Sequence, residues 1–138
     1  MQVFRINDMT DGRHTYKVDI NAVENRLTGI CATTKQDINV VVVEGDAKGS
    51  RRFNRLMLHR IDWNPMVNVD TVDDAMFEEP NKCYMVWQGI VAKQAFDDFK
   101  THKLSTAEEA RALFAQRGVA HYWDAAHFFV PTTEAAAT

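Results

Sequence analysis

Apolar and polar residues alternate along several short stretches of this chain, and a period of two residues is typical of β-strands. The first stretch covers residues 3–6, and the pair Asp11-Gly12 predicts a hairpin that leads to a second strand at residues 16–20. A short helical turn capped by Asn21 should follow, and β-branched residues favour another strand over residues 29–34. The beginning of the chain is therefore predicted to supply an N-terminal β-hairpin and one further strand.

The clearest strand covers residues 38–44, where apolar side chains occupy both faces. One face carries Ile38, Val40 and Val42, and the other carries Val41 and Val43. A strand that is apolar on both sides has to be covered on both sides, which predicts a central position in the sheet.

Two segments have apolar residues at the spacing of a helix. The first covers residues 48–59 and has an apolar stripe formed by Phe53, Leu56 and Met57. In the second, residues 105–117, Ser105 is predicted to be the N-cap of a capping box with Glu108, and Gly118 to take the left-handed position after the last turn. We expect these two helices to pack against the same face of the sheet.

The rest of the chain predicts further strands and a docking segment. Residues 83–88 should form a strand with Cys83, Met85 and Trp87 on one face and Tyr84 and Val86 on the other. A short strand or turn is expected near residues 96–104, and the aromatic segment 121–130 should dock on the core. This order predicts an α+β fold: a ferredoxin-like, mostly antiparallel sheet with two helices on one face, which the N-terminal β-hairpin extends or covers on its other face.

Length and composition fit one folded domain. The chain has 138 residues, of which 46% are hydrophobic, and we expect a single domain over residues 1–130 followed by a disordered tail at 131–138. No uninterrupted apolar run approaches the roughly 18 residues needed to cross a membrane, and the N-terminus lacks the pattern of a signal peptide. Cys31 and Cys83 are too few for a disulfide scaffold and favour two reduced thiols in an intracellular protein.

Charge is distributed unevenly along the chain. The formal net charge is −3, but residues 46–60 contain five basic residues and one acid, and residues 64–80 contain five acids and no base. We predict that residues 64–80 form a flexible acidic loop that does not contact polyanions, because its carboxylates would repel phosphate.

Motifs of catalysis and metal binding are absent from the sequence. The chain has no nucleophile elbow, no zinc-protease helix motif and no phosphate-binding glycine loop. Its histidines show no metal-ligand spacing with each other or with the cysteines: His14, His59, His102, His121 and His127. We therefore expect a protein that is not an enzyme and that has no metal site and no cofactor.

The predicted helix at residues 48–59 carries the strongest positive signal. At helical spacing, five basic side chains fall on one face, opposite the apolar stripe: Lys48, Arg51, Arg52, Arg55 and His59. Such a face is suited to binding phosphates, since arginine offers paired donors to phosphate oxygens. The alternative is a solvated face that only keeps the domain soluble.

Aromatic residues supply a second candidate surface, because unpaired bases stack on aromatic rings. The candidates are Trp87, Tyr122 and Trp123, with His121 as a polar neighbour. We interpret Trp87 and Trp123 as core residues, since tryptophan beside other aromatic residues more often packs inside. Tyr122 and His121 remain candidates for contacts with bases.

Several segments together resemble a known family. They are NVVVVEG at residues 39–45, RLMLHRI at 55–61 with Trp63, Asn81-Lys82-Cys83, Val86-Trp87 with Gly89, and HYWD at 121–124. In this order and spacing they resemble the C-terminal domain of the pre-mRNA-processing factor 3 family of the U4/U6 small nuclear ribonucleoprotein. The resemblance covers roughly residues 2–126.

This resemblance implies a nuclear, ferredoxin-like RNA-binding domain that acts in pre-mRNA splicing. It implies binding to the single-stranded 3′ region of U6 RNA beside the U4/U6 duplex, with other proteins of the U4/U6 and tri-snRNP particles as partners and no membrane or small-molecule substrate. The expected phosphate contacts are Lys48, Arg51, Arg52 and Arg55, and the expected base or sugar contacts are His59, His121 and Tyr122. Two alternatives remain: a protein-interaction module with weak or lost RNA binding, and a small hydrolase of the acylphosphatase type, whose anion-binding loop is not found in the sequence.

Overall fold

The computed structural model describes residues 1–36, 38–64, 81–91 and 93–130, and its centre is a five-stranded sheet. The strands are β1 (Gln2–Ile6), β2 (Thr28–Thr33), β3 (Asn39–Glu44), β4 (Cys83–Gln88) and β5 (Phe99–Lys103). They are arranged in the order β4-β1-β3-β2-β5, and every neighbouring pair is antiparallel except β2 and β5, which are parallel.

The helices are α1 (Gly12–Glu24), α2 (Ala47–Arg55), α3 (Ala107–Gln116) and α4 (Ala120–His127). A π-helical turn, Leu56–Arg60, continues α2. The first four strands with α1 and α2 follow the order βαββαβ, and their spatial order β4-β1-β3-β2 is ferredoxin-like. The predicted α+β, ferredoxin-like fold class is therefore confirmed.

The central position of β3 is also confirmed. All six of its residues are buried, with Val41 and Val43 in one apolar cluster and Val40 and Val42 in the other. Strand β3 lies between β1 and β2, so its backbone is paired on both edges. Apolar residues on both faces thus correctly predict a strand that is covered above and below.

Two layers of helices cover this sheet. On one side, α1 and α2 pack through Val18, Phe53 and other residues against Phe4, Ile6 and Val41. On the other side, α3 and α4 pack through residues that include Phe114 and Trp123. The prediction that residues 48–59 and 105–117 share one face is therefore wrong. The two helices of the ferredoxin-like unit are α1 and α2, and the later pair covers the second apolar face of β3.

The predicted N-terminal hairpin is wrong, because residues 12–24 form helix α1. The Asp11 side chain accepts a hydrogen bond from Arg13 N at 2.9 Å and caps this helix, instead of starting a β-turn. The buried residues are His14, Val18 and Ala22, four apart, whereas Tyr16 is 64% exposed. The apparent alternation over residues 16–20 was a fragment of a helical pattern.

The predicted helix near residue 105 is present but begins later. Thr106, not Ser105, is the N-cap, and its Oγ1 accepts a hydrogen bond from Glu109 N at 3.2 Å. The capping pair is therefore Thr106 with Glu109, one residue further along than the predicted Ser105 and Glu108. Gly118 has φ +71°, which confirms the left-handed position after α3.

The strand near residues 96–104 and the docking of the C-terminal aromatic segment are both present, as β5 and α4.

Other expectations from the sequence concern the loop, the tail and the cysteines. The acidic loop, apart from Asn64, and the tail at 131–138 lie outside the described residues. Asn64 Nδ2 donates a hydrogen bond to Asn81 O, and Asn81 N donates one to Asn64 Oδ1, both at 2.7 Å. These bonds connect the described residues on either side of residues 65–80.

Cys31 and Cys83 are free and buried, and burial raises the pKa of Cys31 to about 12, which keeps it a thiol. None of the helices in the described part of the chain is long and apolar enough to cross a membrane.

Candidate nucleic-acid interface

The basic residues predicted from the sequence lie on the outer side of α2 and its π-helical turn. We call Lys48, Arg51, Arg52, Arg55 and His59 the basic face, and all five side chains are exposed. The opposite side of the same segment buries Phe53 and Met57 completely. Asp46 caps α2 by accepting a hydrogen bond from Gly49 N at 2.6 Å, so the direction of the helix is fixed at its start.

Gly49 sets how closely α2 approaches the end of α1. A Cβ atom at this position would lie 2.6 Å from the backbone oxygen of Asn25, closer than real Cβ contacts allow. Only glycine lets α2 lie this close to the loop after α1. The basic face is thus carried by a helix whose other side is firmly packed.

Acidic partners for the basic face are missing among the residues that the structure describes. Four ion pairs occur in that part of the chain, and each lies elsewhere: Arg13–Asp11, Lys100–Asp98, Arg111–Asp124 and Arg117–Asp97. Within the part of the chain that the structure describes, positive charges are therefore concentrated on one helical segment, a distribution suited to a polyanion.

The π-helical turn adds a residue that the sequence pattern missed. Ile61 N donates a hydrogen bond to Leu56 O at 2.9 Å, which spans five residues instead of four. Each residue in such a turn rotates less about the helix axis, so exposed Arg60 lies nearer the basic face than α-helical spacing places it. Nothing in the segment RLMLHRI signals this wider turn.

A second exposed surface is an aromatic cluster formed by Trp87, His121 and Tyr122. The ring centroids of Trp87 and Tyr122 are 5.4 Å apart, and those of His121 and Tyr122 are 4.1 Å apart. Trp87 is 39% exposed, His121 is exposed and Tyr122 is half-buried. Two of these three residues were predicted from the sequence, whereas Trp87 was interpreted as a core residue, which is wrong.

A β-bulge explains the position of Trp87. Phe4 pairs with Met85 and Val3 pairs with Trp87, so Val86 is an extra residue on β4. Trp87 therefore turns to the side of Val3 and α4, and the prediction that it shares a face with Cys83 and Met85 is wrong. The bulge arises from the pairing between β1 and β4, so the alternation of residues within β4 does not predict it.

The helix that carries His121 and Tyr122 is held in its middle and at its C-terminal end. Trp123, in the middle, is 1% exposed, which confirms it as a core residue, and its ring packs edge-on against Phe114 at 5.4 Å. At the C-terminal end of α4, Arg5 Nη1 donates to the backbone oxygens of Ala126, His127 and Phe129 at 3.1–3.3 Å. A cation at the carbonyl end of a helix satisfies acceptors that have no partner within the helix.

The structure does not bring all predicted site residues together. The basic face lies on the α1–α2 side of the sheet, and the aromatic cluster lies on the α3–α4 side. Both surfaces border the edge strand β4, since the π-helical turn and α4 each contact that strand. Within the described residues, no group of three histidine, cysteine or carboxylate side chains could hold a metal ion.

These features define a ferredoxin-like α+β domain with an exposed basic helix and an exposed aromatic cluster. The family described as "Small nuclear ribonucleoprotein Prp3, C-terminal domain" matches residues 2–126, and the chain belongs to this family. The family is thus one of small nuclear ribonucleoprotein components, and its description names no enzymatic activity.

Two curated relatives and one solved structure show how far the similarity extends. Protein RDM16 of Arabidopsis thaliana is 38% identical over 128 residues, which are 91% of this chain and 16% of the relative. The U4/U5/U6 small nuclear ribonucleoprotein prp3 of Schizosaccharomyces pombe is 30% identical over 132 residues, which are 88% of this chain and 24% of the relative. The chain thus spans a quarter or less of these relatives.

A bacterial light-regulated adenylyl cyclase has a similar fold. The match has a TM-score of 0.50 and 10% identity, and it covers 98% of this chain and 37% of the other. At this identity the similarity concerns the fold alone.

Proposed function

We propose that this domain binds single-stranded RNA as part of a U4/U6 small nuclear ribonucleoprotein and acts in pre-mRNA splicing in the nucleus. The observation that carries the proposal is the basic face: four exposed cations and the exposed imidazole of His59 on one helical segment whose other side is buried, without acidic partners among the described residues. Family membership supports the same particle, and a relative from fission yeast is named as a small nuclear ribonucleoprotein.

In this proposal the two surfaces have different tasks. Lys48, Arg51, Arg52 and Arg55 hold phosphates, because guanidinium groups donate in pairs to phosphate oxygens. His59 contacts a base or sugar next to them. His121 and Tyr122 contact bases on the other side of the sheet, and Trp87 joins them as an exposed stacking surface.

The geometry also limits how one RNA strand reaches both surfaces. Since the basic face and the aromatic cluster lie on opposite sides of the sheet, the strand has to pass around the edge of β4. A single-stranded region has the necessary flexibility, whereas a rigid duplex does not. This favours a single-stranded ligand, and the 3′ region of U6 RNA beside the U4/U6 duplex is the one that the family resemblance implies.

A second candidate function is a protein-interaction module of the same particle with weak RNA binding. Apolar side chains near the aromatic cluster favour it, because Phe128 is 75% exposed and Ile90 is fully exposed. The overall charge of −3 also opposes long-range attraction to RNA.

Titration of the chain with a short uridine-rich RNA at several salt concentrations separates the two functions. Each phosphate contact to a single strand contributes roughly 0.7 to the slope of log K against log salt. Replacing both Arg51→Gln and Arg52→Gln should weaken binding to every RNA sequence and flatten this slope by about 1.4.

The matched control is Lys35→Gln with Arg117→Gln, which removes the same charge from exposed positions away from α2. The control should retain the wild-type slope, and both double variants should keep their thermal stability. If the Arg51 and Arg52 variant retains both affinity and slope, the basic face is only solvated and the protein-interaction function takes precedence.

A further inference from the structure

An open groove lies between α1 and the edge strand β5, away from the basic face and the aromatic cluster. Its volume is about 510 Å³. Helix α1 lines it with Thr15, Tyr16 and Asp19, and β5 lines it along its whole length. Tyr16 presents a largely exposed ring to this groove, although the side chain has no role in the core.

The outer edge of β5 offers free backbone groups to this groove. Among residues 1–36, 38–64, 81–91 and 93–130, β5 pairs with β2 and with no other strand. Gly29 N donates to Asp98 O at 2.9 Å, and Leu104 N donates to Thr33 O at 2.8 Å. In a parallel ladder alternate residues bond to the same neighbour, so the N–H and C=O groups of residues 99, 101 and 103 point away from β2.

The charges along this edge select between possible occupants. Lys100 and Lys103 are exposed on β5, with His102 between them, and Asp19 is the carboxylate on the α1 side. Lys100 also lies 3.5 Å from Asp98 in an ion pair, but both side chains are more than half exposed, so solvent screens this pair and an acidic ligand can compete for the lysine. Two copies of β5 side by side would bring lysines close together, and lysine on an edge strand is a common barrier to such self-pairing. A strand with acidic side chains meets no such barrier.

We propose that the groove between α1 and β5 binds an extended acidic peptide segment of another protein, which adds as a sixth strand to β5. The peptide backbone pairs with residues 99, 101 and 103, and its acidic side chains lie near Lys100 and Lys103. A nucleic-acid backbone offers no N–H donors in this alternation, so it cannot pair with the edge of β5 as a strand does. The site is separate from the proposed RNA surface, because that surface lies on α2, β4 and α4.

The test begins with a displayed library of random decapeptides selected on the whole chain, followed by synthesis of the peptides obtained. We expect sequences that carry acids and lack proline. Binding should change the backbone amide NMR signals of residues 99, 101 and 103 more than those of residues 100 and 102. Methylation of the peptide's own amide nitrogens, one at a time, should abolish binding at every second position only.

Charge variants test the contribution of the lysines. Lys100→Glu with Lys103→Glu should weaken peptide binding by about tenfold, as expected for the loss of two exposed ion pairs. The control, Lys35→Glu with Lys93→Glu, makes the same change of net charge elsewhere and should change binding less than twofold. RNA titration of both variants should give the same salt slope as the unchanged chain.

Three results would overturn the proposal. Selection could yield no peptide that binds, or N-methylation could show no alternation. A uridine-rich RNA that changes the amide signals of residues 99, 101 and 103, in place of the peptides, would assign the groove to nucleic acid.

Discussion

At the scale of single residues, Trp123 shows how one side chain of a surface motif can belong to the core. It lies in the segment HYWD, whose first residue is exposed and whose second is half-buried, and it packs between the sheet and Phe114. Trp123→Ala should lower the free energy of unfolding by about 3–5 kcal/mol, measured by urea denaturation. Trp123→Phe, which leaves a smaller void, should cost less, and a harmless Trp123→Ala would contradict the core role.

The structural role of Glu44 is not predicted by the sequence. Its carboxylate is buried and accepts hydrogen bonds from Thr28 Oγ1 at 3.0 Å, Ala95 N at 3.1 Å and Phe96 N at 2.8 Å. These bonds hold the connection between β4 and β5 against the end of β3. At the end of a valine-rich strand, the glutamate gives no signal of burial in the sequence.

Loss of this charge should therefore destabilise the domain. Glu44→Gln leaves one oxygen acceptor and a donor that faces N–H groups, and we expect a loss of about 2 kcal/mol in the free energy of unfolding. Hydrogen exchange at the amides of Ala95 and Phe96 should become faster. The exposed residue Glu108 supplies the control, since Glu108→Gln should change stability by less than about 0.5 kcal/mol.

At the scale of elements, an ion pair connects the two helices of the α3–α4 layer. Arg111 on α3 donates to both carboxylate oxygens of Asp124 on α4, at 2.8 and 3.0 Å. The hydrogen bond from Arg111 lowers the pKa of Asp124. The aspartate of HYWD thus joins α4 to α3 beside the exposed His121 and the half-buried Tyr122.

This pair predicts a pH dependence with a definite sign. A carboxylate whose pKa is lowered by folding stabilises the folded state above its unfolded pKa, near 3.9, and loses this contribution as pH falls through the lower folded value. Asp124→Asn should therefore be slightly less stable than the unchanged chain at pH 7, and the difference in urea denaturation should shrink as the pH falls below about 3.9 toward 2. The effect is small because both side chains are exposed to solvent. An unchanged difference at pH 2 would mean that packing, not charge, causes it.

At the scale of the whole molecule, the sheet separates the basic face on one side from the aromatic cluster on the other. Trp87→Ala removes a stacking surface and no charge, so RNA binding should weaken by about 1–3 kcal/mol without a change in salt slope. The double variant of Arg51 and Arg52, in contrast, should flatten the salt slope. Combining Trp87→Ala with the double arginine variant should give additive losses, because the two sets of side chains lie on opposite sides of the sheet and do not contact each other. A change of salt slope in Trp87→Ala would mean that the two surfaces are coupled.

The sequence by itself determined the features that depend on local period and local chemistry. The strand at residues 38–44, the left-handed Gly118 and the exposed basic face all follow from side chains that are close in sequence. Each of these features is decided within one element, so the distant parts of the chain do not alter it.

Only the tertiary structure decided the features that depend on how elements meet. Residues 12–24 form a helix because their buried positions face the sheet at helical spacing, which the short alternation at 16–20 concealed. Trp87 reaches Tyr122 because the pairing of β1 with β4 contains a bulge, and residues 48–59 and 105–117 lie on opposite faces because β3 needs cover on both. Strand pairing and layer packing are long-range interactions, and their outcome is set by which surfaces are buried together.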